Sequence, residues 1–330
     1  MSESSAAITE ILMTKRMVPL VTEQLEGRFI VHRLWEKDDP AAFLKSSGGR
    51  IRAIAAGGGA PVDADLMDNL PHLEIVASFG VGYDHVDAQA AAGRNVMVTN
   101  TPDVLTDEVA DLAVGLLIAT VRNLPAADRY LRDGHWLEKP FPFTTTLRGR
   151  TVGILGLGRI GLAIAKRLEA FGLQIAYHSR NSRSDVGYRY YDSLHGMAKD
   201  VDVLLNVAPG GASTHHIIDA EVLAALGSNG ILVNVGRGTT VDEPALIAAL
   251  RDGVIHAAGL DVYEDEPRVP QELIALENTV LLPHVGSATH HTRNAMGQLV
   301  VDNLVSWFEG KGPLTPVPET PLGLKNHDPE

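Results

Sequence analysis

Residues 151–161 read Thr-Val-Gly-Ile-Leu-Gly-Leu-Gly-Arg-Ile-Gly and decide the fold, because a short apolar strand leads directly into three spaced glycines. Gly156 permits a tight turn, Gly158 lets the backbone approach a pyrophosphate without a Cβ in the way, and Gly161 allows the following helix to pack closely on its strand. The phosphates would lie at a helix N-terminus, where free N–H groups and the helix dipole favour negative charge. The pattern predicts a dinucleotide-binding turn.

The residues after the glycines supply the context that this motif needs, since the spacing alone also fits an ordinary strand–turn–helix connection. Residues 162–171 continue with helix formers, and residues 174–179 form an apolar run typical of a second strand. Strand, turn, helix and strand together complete a βαβ unit.

The end of that second strand indicates which nucleotide binds. An NAD-binding domain usually places Asp or Glu about 20 residues beyond the glycines, where the carboxylate accepts from the ribose 2′-OH. Residues 177–181 are Tyr-His-Ser-Arg-Asn instead. Ser179 can donate to a 2′-phosphate, Arg180 can form two parallel hydrogen bonds with it, and Arg183 adds positive charge nearby. The sequence therefore predicts NADP(H); the alternative is that Arg180 is only a solvated loop residue.

Composition and charge limit the kinds of partner. The 330 residues carry a net charge of −13, which disfavours nucleic acid and anionic membranes, because binding their phosphates needs clustered Lys and Arg. The absence of cysteine excludes disulfides and thiolate chemistry and is compatible with a reducing cytoplasm. The N-terminal residues are polar and acidic, and the longest apolar stretch, residues 112–121, is shorter than the roughly 20 residues that span a bilayer. We expect a soluble, cytoplasmic protein.

Apolar strand candidates alternate with helical patterns on both sides of the glycine motif. Such alternation is typical of parallel sheets covered by helices, so we predict an α/β fold with two doubly wound parallel-sheet domains. The strand candidates are residues 8–13, 29–34, 51–56, 73–78 and 96–99 before the motif, and 174–179, 201–207, 231–235, 256–262 and 280–282 after it.

Two long helical patterns and one irregular segment complete the organisation. Residues 106–132 are predicted to be helical nearly throughout, and residues 288–309 form a second helix. Residues 134–150 show neither period and carry several aromatic side chains, including Trp136. This segment is either an arm that packs on another subunit or a satellite cluster on its own domain.

Reactive side chains follow the predicted strands, where open α/β sheets bind their ligands. Arg237 stands between two glycines and could clamp a carboxylate through two hydrogen bonds, although a structural salt bridge is the alternative. His284 becomes a general acid if it is paired with Glu266, because a neighbouring carboxylate favours the imidazolium. It could then protonate a ketone oxygen while the reduced nicotinamide supplies hydride to the carbon.

Four motifs in this order and spacing resemble those of the D-isomer-specific 2-hydroxyacid dehydrogenases. They are Gly-Leu-Gly-Arg-Ile-Gly, Asn-Val-Gly-Arg-Gly, Asp-Val-Tyr-Glu-Asp-Glu-Pro and Leu-Leu-Pro-His-Val-Gly-Ser-Ala-Thr, within a similarity from about Ala56 to Val317. Ser179-Arg180 and Thr144-Thr-Thr-Leu147 look closest to the NADPH-dependent glyoxylate/hydroxypyruvate and hydroxyphenylpyruvate reductases. The resemblance implies reduction of small 2-oxo acids, such as glyoxylate, hydroxypyruvate or an aryl pyruvate, to D-2-hydroxy acids.

The resemblance also implies the site residues. The catalytic set is Arg237, which binds the 2-oxo acid, with Glu266 and His284 as the proton-relay pair. The substrate-binding set is Gly57, Val81, Gly82, Arg237 and His284. The cofactor-binding set is Gly156, Gly158, Arg159, Ile160, Gly161, Ser179, Arg180, Val207, Pro209, Val235, Asp261, His284 and Ser287, with Asp261 near the nicotinamide carboxamide.

The family's arrangement implies a discontinuous, flavodoxin-like substrate domain, residues 1–100 and 288–330, and a Rossmann cofactor domain, residues 101–287. We expect a homodimer. The alternative function is that of a nucleotide-regulated binding protein like the C-terminal-binding-protein co-repressors, which resemble the same family; against it, the chain has no long disordered flank or basic region.

No metal site is expected. His215-His216 and His290-His291 are adjacent pairs, and neighbours on a helix point about 100° apart, so such a pair cannot chelate one ion well. Arg237 and His284 could polarise a carbonyl without a metal.

Overall fold

The computed structural model describes residues 8–320, so the ends of the predicted substrate domain, residues 1–7 and 321–330, lie outside the described residues. The described chain divides into two compact units. One unit ends at Leu105 and resumes at Thr289, and the other runs from Thr106 to Ala288. Each unit contains one parallel sheet, so the predicted α/β fold with two parallel sheets is confirmed.

The sheet of the first unit has five parallel strands in the order β2-β1-β3-β4-β5, which is the flavodoxin-like order. The strands are β1 (Glu10–Met13), β2 (Ile30–Arg33), β3 (Ile51–Ala56), β4 (Ile75–Ser78) and β5 (Met97–Thr99), and the helices between them are α1 (Pro19–Glu26), α2 (Pro40–Ser47), α3 (Ala64–Asp68) and α4 (Ala88–Gly93). The middle strands β3 and β4 are almost wholly buried, which explains why they appear in the sequence as continuous apolar runs.

The sheet of the second unit has seven parallel strands in the order β12-β11-β10-β9-β6-β7-β8. The strands are β6 (Thr151–Leu155), β7 (Gln174–His178), β8 (Arg189–Tyr191), β9 (Val203–Asn206), β10 (Ile231–Asn234), β11 (Ala257–Leu260) and β12 (Thr279–Leu281). This is the Rossmann order extended by a seventh strand, and the strand order reverses between β6 and β9. Ligands are expected at the carboxyl ends of the strands beside that reversal.

Helices cover both faces of the second sheet. They are α5 (Thr106–Arg122), α6 (Leu124–Arg132), α7 (Arg159–Glu169), α8 (Leu194–Asp200), α9 (Ala220–Leu226), α10 (Glu243–Arg251) and α11 (Gln271–Ile274). The last helix, α12 (His290–Phe308), belongs to the first unit, where it packs on α1 and β4. Thr289 caps α12, because its side chain accepts a hydrogen bond from the Thr292 N–H.

The prediction that residues 106–132 are helical nearly throughout is confirmed, with one break. The chain breaks at Asn123, which adopts a left-handed conformation with φ 45°, and α6 restarts with a proline in its first turn. Asparagine tolerates this region better than most residues. No single helix among residues 8–320 is long and apolar enough to span a membrane; α5 and α6 pass that test only together, with a bend of 61° between them.

Candidate active site

The glycine turn has the geometry that its spacing predicts. Gly156 follows β6 with φ +96°, a conformation that side chains rarely adopt. A Cβ on Gly161 would lie 2.2 Å from the Gly156 carbonyl oxygen, so only glycine allows α7 to start this close to the strand. Gly158 is the N-cap of α7 and offers no side-chain cap, so the positive end of the helix dipole begins at Arg159 and Ile160, directly after the glycine turn.

Around the end of β7, two side chains hold the glycine turn and a third is exposed. The Ser179 hydroxyl oxygen accepts from the Leu157 N–H at 2.8 Å, and Arg183 Nη1 donates to the Leu157 carbonyl oxygen at 2.9 Å. Arg183 also pairs with Asp185. Arg180 is exposed beside them, and residues 177–181 contain no carboxylate. These residues therefore fit a nucleotide that carries a 2′-phosphate better than a free ribose 2′-hydroxyl.

The loops that follow β9 and β10 lie beside the same turn. A Cβ on Gly156 would be 3.1 Å from the Ala208 backbone nitrogen, so the segment that contains Val207 and Pro209 passes directly by the glycines. Val235 follows β10 at the same edge of the sheet. The structure thus brings the predicted cofactor residues of three loops together.

A buried polar network fixes these loops, and sequence reasoning missed it. Asn206 and Asn234 end β9 and β10, pair in register, and are 0% and 1% exposed. Asn206 Nδ2 donates to Asn234 Oδ1 at 2.9 Å and to Thr240 Oγ1 at 2.6 Å. The two amide oxygens in turn accept the N–H groups of Ala208 and Gly236, each at 3.0 Å. The available signal was an asparagine at the end of each of two apolar strands.

Two hydrogen bonds to its carbonyl oxygen hold the backbone of Arg237 in place. Its carbonyl oxygen accepts from Asn234 Nδ2 at 3.0 Å and from Thr240 Oγ1 at 2.6 Å. A Cβ on the next residue, Gly238, would lie 1.8 Å from the Tyr263 carbonyl carbon, so this loop is pressed against the chain that leads to Glu266. The Arg237 side chain is partly buried, and its Nη1 donates to the Gly236 carbonyl oxygen at 2.9 Å.

His284 and Glu266 form a direct pair. His284 Nδ1 lies 2.7 Å from Glu266 Oε2, while Glu266 Oε1 accepts from the Tyr263 N–H at 3.1 Å. His284 has φ 53°, and its N–H donates to the Asp261 carbonyl oxygen at 2.9 Å. Because Nδ1 is occupied, Nε2 is the ring nitrogen left for a reacting group.

The charge state of Glu266 suits this pairing. Burial raises the pKa of Glu266, but the hydrogen bond and charge of His284, the Tyr263 N–H and the charge of Arg237 outweigh burial, so the pKa is lowered overall. A carboxylate with a lowered pKa is ionised throughout the neutral range. The contribution of Arg237 also means that its guanidinium lies near Glu266, so the structure brings all three predicted catalytic side chains together.

Asp261 fixes the loop that contains His284 through hydrogen bonds. Its carboxylate is 1% exposed, and Oδ1 accepts from the Val285 N–H at 2.7 Å while Oδ2 accepts from the Gly286 N–H at 2.8 Å. Burial raises the pKa of Asp261, and the two N–H groups and the His284 charge oppose this increase only in part. Both oxygens are thus used within the protein. Ser287 is buried on the same loop.

The substrate-loop residues lie in the first unit. Among the described residues, the N–H groups of Val81 and Gly82 have no protein acceptor, as an anion site requires. Asn100 Nδ2 donates to the Val81 carbonyl oxygen at 2.9 Å and so helps to fix the position of this loop. The sequence did not indicate this role of Asn100. The Gly57 N–H differs, because it already donates to Thr14 Oγ1 at 3.1 Å.

One of the two adjacent histidine pairs does not lie on a helix, contrary to expectation. His290 and His291 begin α12, but His215 and His216 lie in a turn, and their ligand atoms are within 4.8 Å of each other and of a Glu264 carboxylate oxygen. His216 Nε2 is 2.7 Å from Glu264 Oε1, and the two imidazole rings stack with an interplanar angle of 28°. Nearly parallel rings do not direct their nitrogen lone pairs at one point, so an ion would require the rings to rotate.

Comparison with known proteins adds independent findings. Residues 114–286 match the model of the D-isomer specific 2-hydroxyacid dehydrogenase NAD-binding domain. The chain is 49% identical over 307 residues to glyoxylate/hydroxypyruvate reductase A of Arabidopsis thaliana, and 48% identical over 307 residues to hydroxyphenylpyruvate reductase of Plectranthus scutellarioides. Each alignment covers 93% of this chain and 98% of the relative.

A solved structure is similar along nearly the whole chain. It is the NADPH-dependent glyoxylate/hydroxypyruvate reductase of Sinorhizobium meliloti in complex with NADP and malonate, with 53% identity and a TM-score of 0.91. The similarity covers 96% of this chain and 98% of that chain.

Proposed function

Because the chain belongs to the D-isomer specific 2-hydroxyacid dehydrogenase family, we propose that it reduces small 2-oxo acids to D-2-hydroxy acids with NADPH. Glyoxylate and hydroxypyruvate are the first substrates to test, and aryl pyruvates follow from the hydroxyphenylpyruvate reductase relative. The observation that carries the proposal is the contact of 2.7 Å between His284 Nδ1 and Glu266 Oε2 near the Arg237 guanidinium, in the unit that also contains the glycine turn.

The three side chains have separate tasks in this reaction. Bound NADPH supplies hydride. Arg237 binds the substrate carboxylate and draws electron density from the adjacent carbonyl. His284, protonated, gives the Nε2 proton to the ketone oxygen, because its Nδ1 is engaged by Glu266. Oxidation of the hydroxy acid needs neutral His284 as the base, because the same proton then moves from the hydroxyl group to Nε2.

The first unit is proposed as the substrate domain and the second as the cofactor domain. In the first unit, the N–H groups of Val81 and Gly82 would donate hydrogen bonds to the substrate carboxylate. Gly57 would line the pocket without donating, because its N–H already donates to Thr14 Oγ1. In the second unit, phosphates would lie on the first turn of α7, and Arg180 would bind the 2′-phosphate with Ser179. The remaining proposed cofactor contacts are Val207, Pro209, Val235, Asp261 and Ser287.

A homodimer is also part of the proposal, with residues 134–150 as the contact. The side chains of Trp136, Leu137 and Phe143 in this segment are 66%, 94% and 107% exposed. Its base packs on its own unit, where the Tyr130 and Phe141 rings lie 5.3 Å apart. Large apolar side chains left in solvent mark interaction sites. In light scattering, Leu137→Glu should give monomers, whereas Leu314→Glu, at an exposed site in the first unit, should leave a dimer.

We further propose a cytoplasmic location, with which the absence of cysteine is compatible; cell fractionation of the full chain tests it. The alternative of a nucleotide-regulated co-repressor-like protein is not supported by the comparisons, since the Arabidopsis, Plectranthus and Sinorhizobium relatives are all named as reductases.

The test of the function compares reduction with nucleotide binding in one variant. His284→Asn suits it, because asparagine tolerates the positive φ of this position. Reduction of glyoxylate or hydroxypyruvate, followed as loss of NADPH absorbance, should fall by about 10² to 10⁴. NADPH binding, followed by fluorescence titration, should persist. If the wild-type chain turns over no 2-oxo acid, the proposed function is wrong.

A further inference from the structure

The first unit has a place that its sheet topology marks for ligands. The strand order reverses between β1 and β3, and open α/β sheets bind ligands outside the carboxyl ends of the strands at such a reversal. The loops after these two strands touch. The Gly57 N–H donates to Thr14 Oγ1 at 3.1 Å, and a Cβ on Gly57 would lie 2.6 Å from the Lys15 Cβ. Glycine at 57 therefore keeps the two loops side by side.

A groove of about 400 Å³ opens at this place, and its lining combines two guanidinium groups with apolar walls. It is lined by Arg16, Met17, Val18, Gly58, Phe79 and Arg293. Arg293 comes from the first turns of α12, and its Cζ lies 5.7 Å from the centre of the Phe79 ring. Phe79 directly follows β4 and precedes the Val81–Gly82 loop by two residues, so the groove adjoins the proposed carboxylate loop.

The groove carries local positive charge, whereas the net charge of the whole chain is negative. Lys15 Nζ lies 3.8 Å from the position that a Cβ on Gly59 would occupy, so Lys15 adds a third positive charge at the loops that follow β1 and β3. The chain as a whole carries −13, which would repel an anionic ligand without such a local cluster. Glyoxylate has a single carboxylate and no carbon beyond its carbonyl. It would therefore neither neutralise the positive charge of this groove nor occupy its volume.

We propose that the groove is a second anion subsite, and that the preferred substrates are 2-oxo acids with a second carboxylate at the remote end of the chain. The inference rests on the proposed function. Arginine forms two parallel hydrogen bonds with a carboxylate, which matches the charged end of such a substrate. The methylene groups between the two acid groups lie against Met17, Val18 and Phe79, where the groove is apolar.

The experiment compares two substrates of the same carbon length, 2-oxoglutarate and 2-oxopentanoate, which differ in the remote carboxylate. In the wild-type chain, kcat/KM should be at least tenfold higher for the diacid. Arg16→Gln should lower the diacid-to-monoacid ratio by about 10-fold to 100-fold, the cost of one charge-assisted hydrogen bond. Arg293→Gln should act in the same direction, and Arg293→Lys should recover part of the ratio.

Arg28→Gln is the matched control, since it removes one positive charge from the amino-end side of the same sheet and should leave the ratio unchanged. The inference is overturned if the wild type favours the monoacid, or if Arg16→Gln and Arg28→Gln change the ratio equally. It is also overturned if Arg16→Gln reduces turnover of 2-oxopentanoate as much as turnover of 2-oxoglutarate, because Arg16 would then not bind the remote carboxylate. Absence of turnover of every 2-oxo acid by the wild type would instead contradict the proposed function.

Discussion

Glu266 contacts His284 through Nδ1 of the imidazole, at 2.7 Å, and not through Nε2. This choice of nitrogen fixes the ring orientation, because the other carboxylate oxygen of Glu266 is held by the Tyr263 N–H at 3.1 Å. Nε2 then points away from the pair. The carboxylate both orients the imidazole and stabilises its positive charge, and these two effects can be separated by substitution.

Glu266→Gln keeps a hydrogen-bonding oxygen but removes the charge. We expect kcat/KM for reduction to fall by about 10-fold to 100-fold, because the hydrogen bond to the imidazole is no longer assisted by a negative charge. The pKa of Glu266 itself is lowered, so in the wild type this carboxylate loses its charge only when the pH falls well into the acid range. Glu264→Gln, two residues away and paired with His216, is the control. Equal kcat/KM values for Glu266→Gln and Glu264→Gln would contradict the relay.

Arg180→Gln tests the cofactor assignment. Arg180 is exposed beside the glycine turn, so its removal should not disturb the fold. The kcat/KM ratio of NADPH to NADH should fall by about 10-fold to 100-fold, because one charge-assisted contact with the 2′-phosphate is lost. Arg183→Gln should have a smaller effect, since that guanidinium is already paired with Asp185. A wild-type chain that prefers NADH would refute the assignment.

The sequence predicts the strands of both sheets because buried parallel strands are continuous apolar runs; β3, for example, begins and ends at the predicted residues Ile51 and Ala56. It does not predict β8, Arg189–Tyr191, whose three residues carry polar or aromatic side chains at the edge of the sheet. Nor does it predict the break at Asn123, because residues 106–132 keep a helical pattern across it. Local patterns therefore indicate elements that bury apolar surface and miss edges and breaks.

The site follows the same rule. Arg237, Glu266 and His284 are predictable, because each occupies a distinctive motif after a strand. Asn206 and Asn234 are not, since they are separated by 27 residues of sequence and meet only because β9 and β10 pair in register. The resemblance assigns Asp261 to the cofactor, and only the structure shows that its two oxygens also accept from the Val285 and Gly286 N–H groups. Contacts between loops depend on the sheet order, which single motifs do not contain.

Glu243 allows a stability prediction with a defined sign. It is 8% exposed at the start of α10; burial raises its pKa, the N–H of Glu264 lowers it, and the charges of Glu264 and Asp265 raise it further. A carboxyl group with a raised pKa contributes its stability below the unfolded pKa, and this contribution is lost as the pH rises through the folded pKa. Ionised Glu243 therefore destabilises the wild type at pH values above the folded-state pKa of this group.

Glu243→Gln carries no such charge at any pH. The Tm of the variant relative to wild type should therefore be higher at pH 8 than at pH 5, as measured by calorimetry at both pH values. Glu221→Gln, an exposed acid in the first turn of α9, should show little pH dependence of this difference. A Tm difference for Glu243→Gln that falls as the pH rises would contradict the sign.

Gly238→Ala tests whether the Arg237 loop and the chain leading to Glu266 must touch. The added methyl group would lie 1.8 Å from the Tyr263 carbonyl carbon, and a backbone atom cannot move aside as the end of a side chain can. The two loops must separate, which should cost about 1–3 kcal/mol or more in the free energy of unfolding. A displacement of about 1 Å between catalytic groups can lower the rate by about 10²-fold, so kcat/KM should fall even at temperatures where the variant is folded.

Gly187→Ala is the matched control in the same unit, because a Cβ there meets nothing within 4 Å. Equal Tm and equal kcat/KM in the two variants would show that the close approach of the loops is not needed.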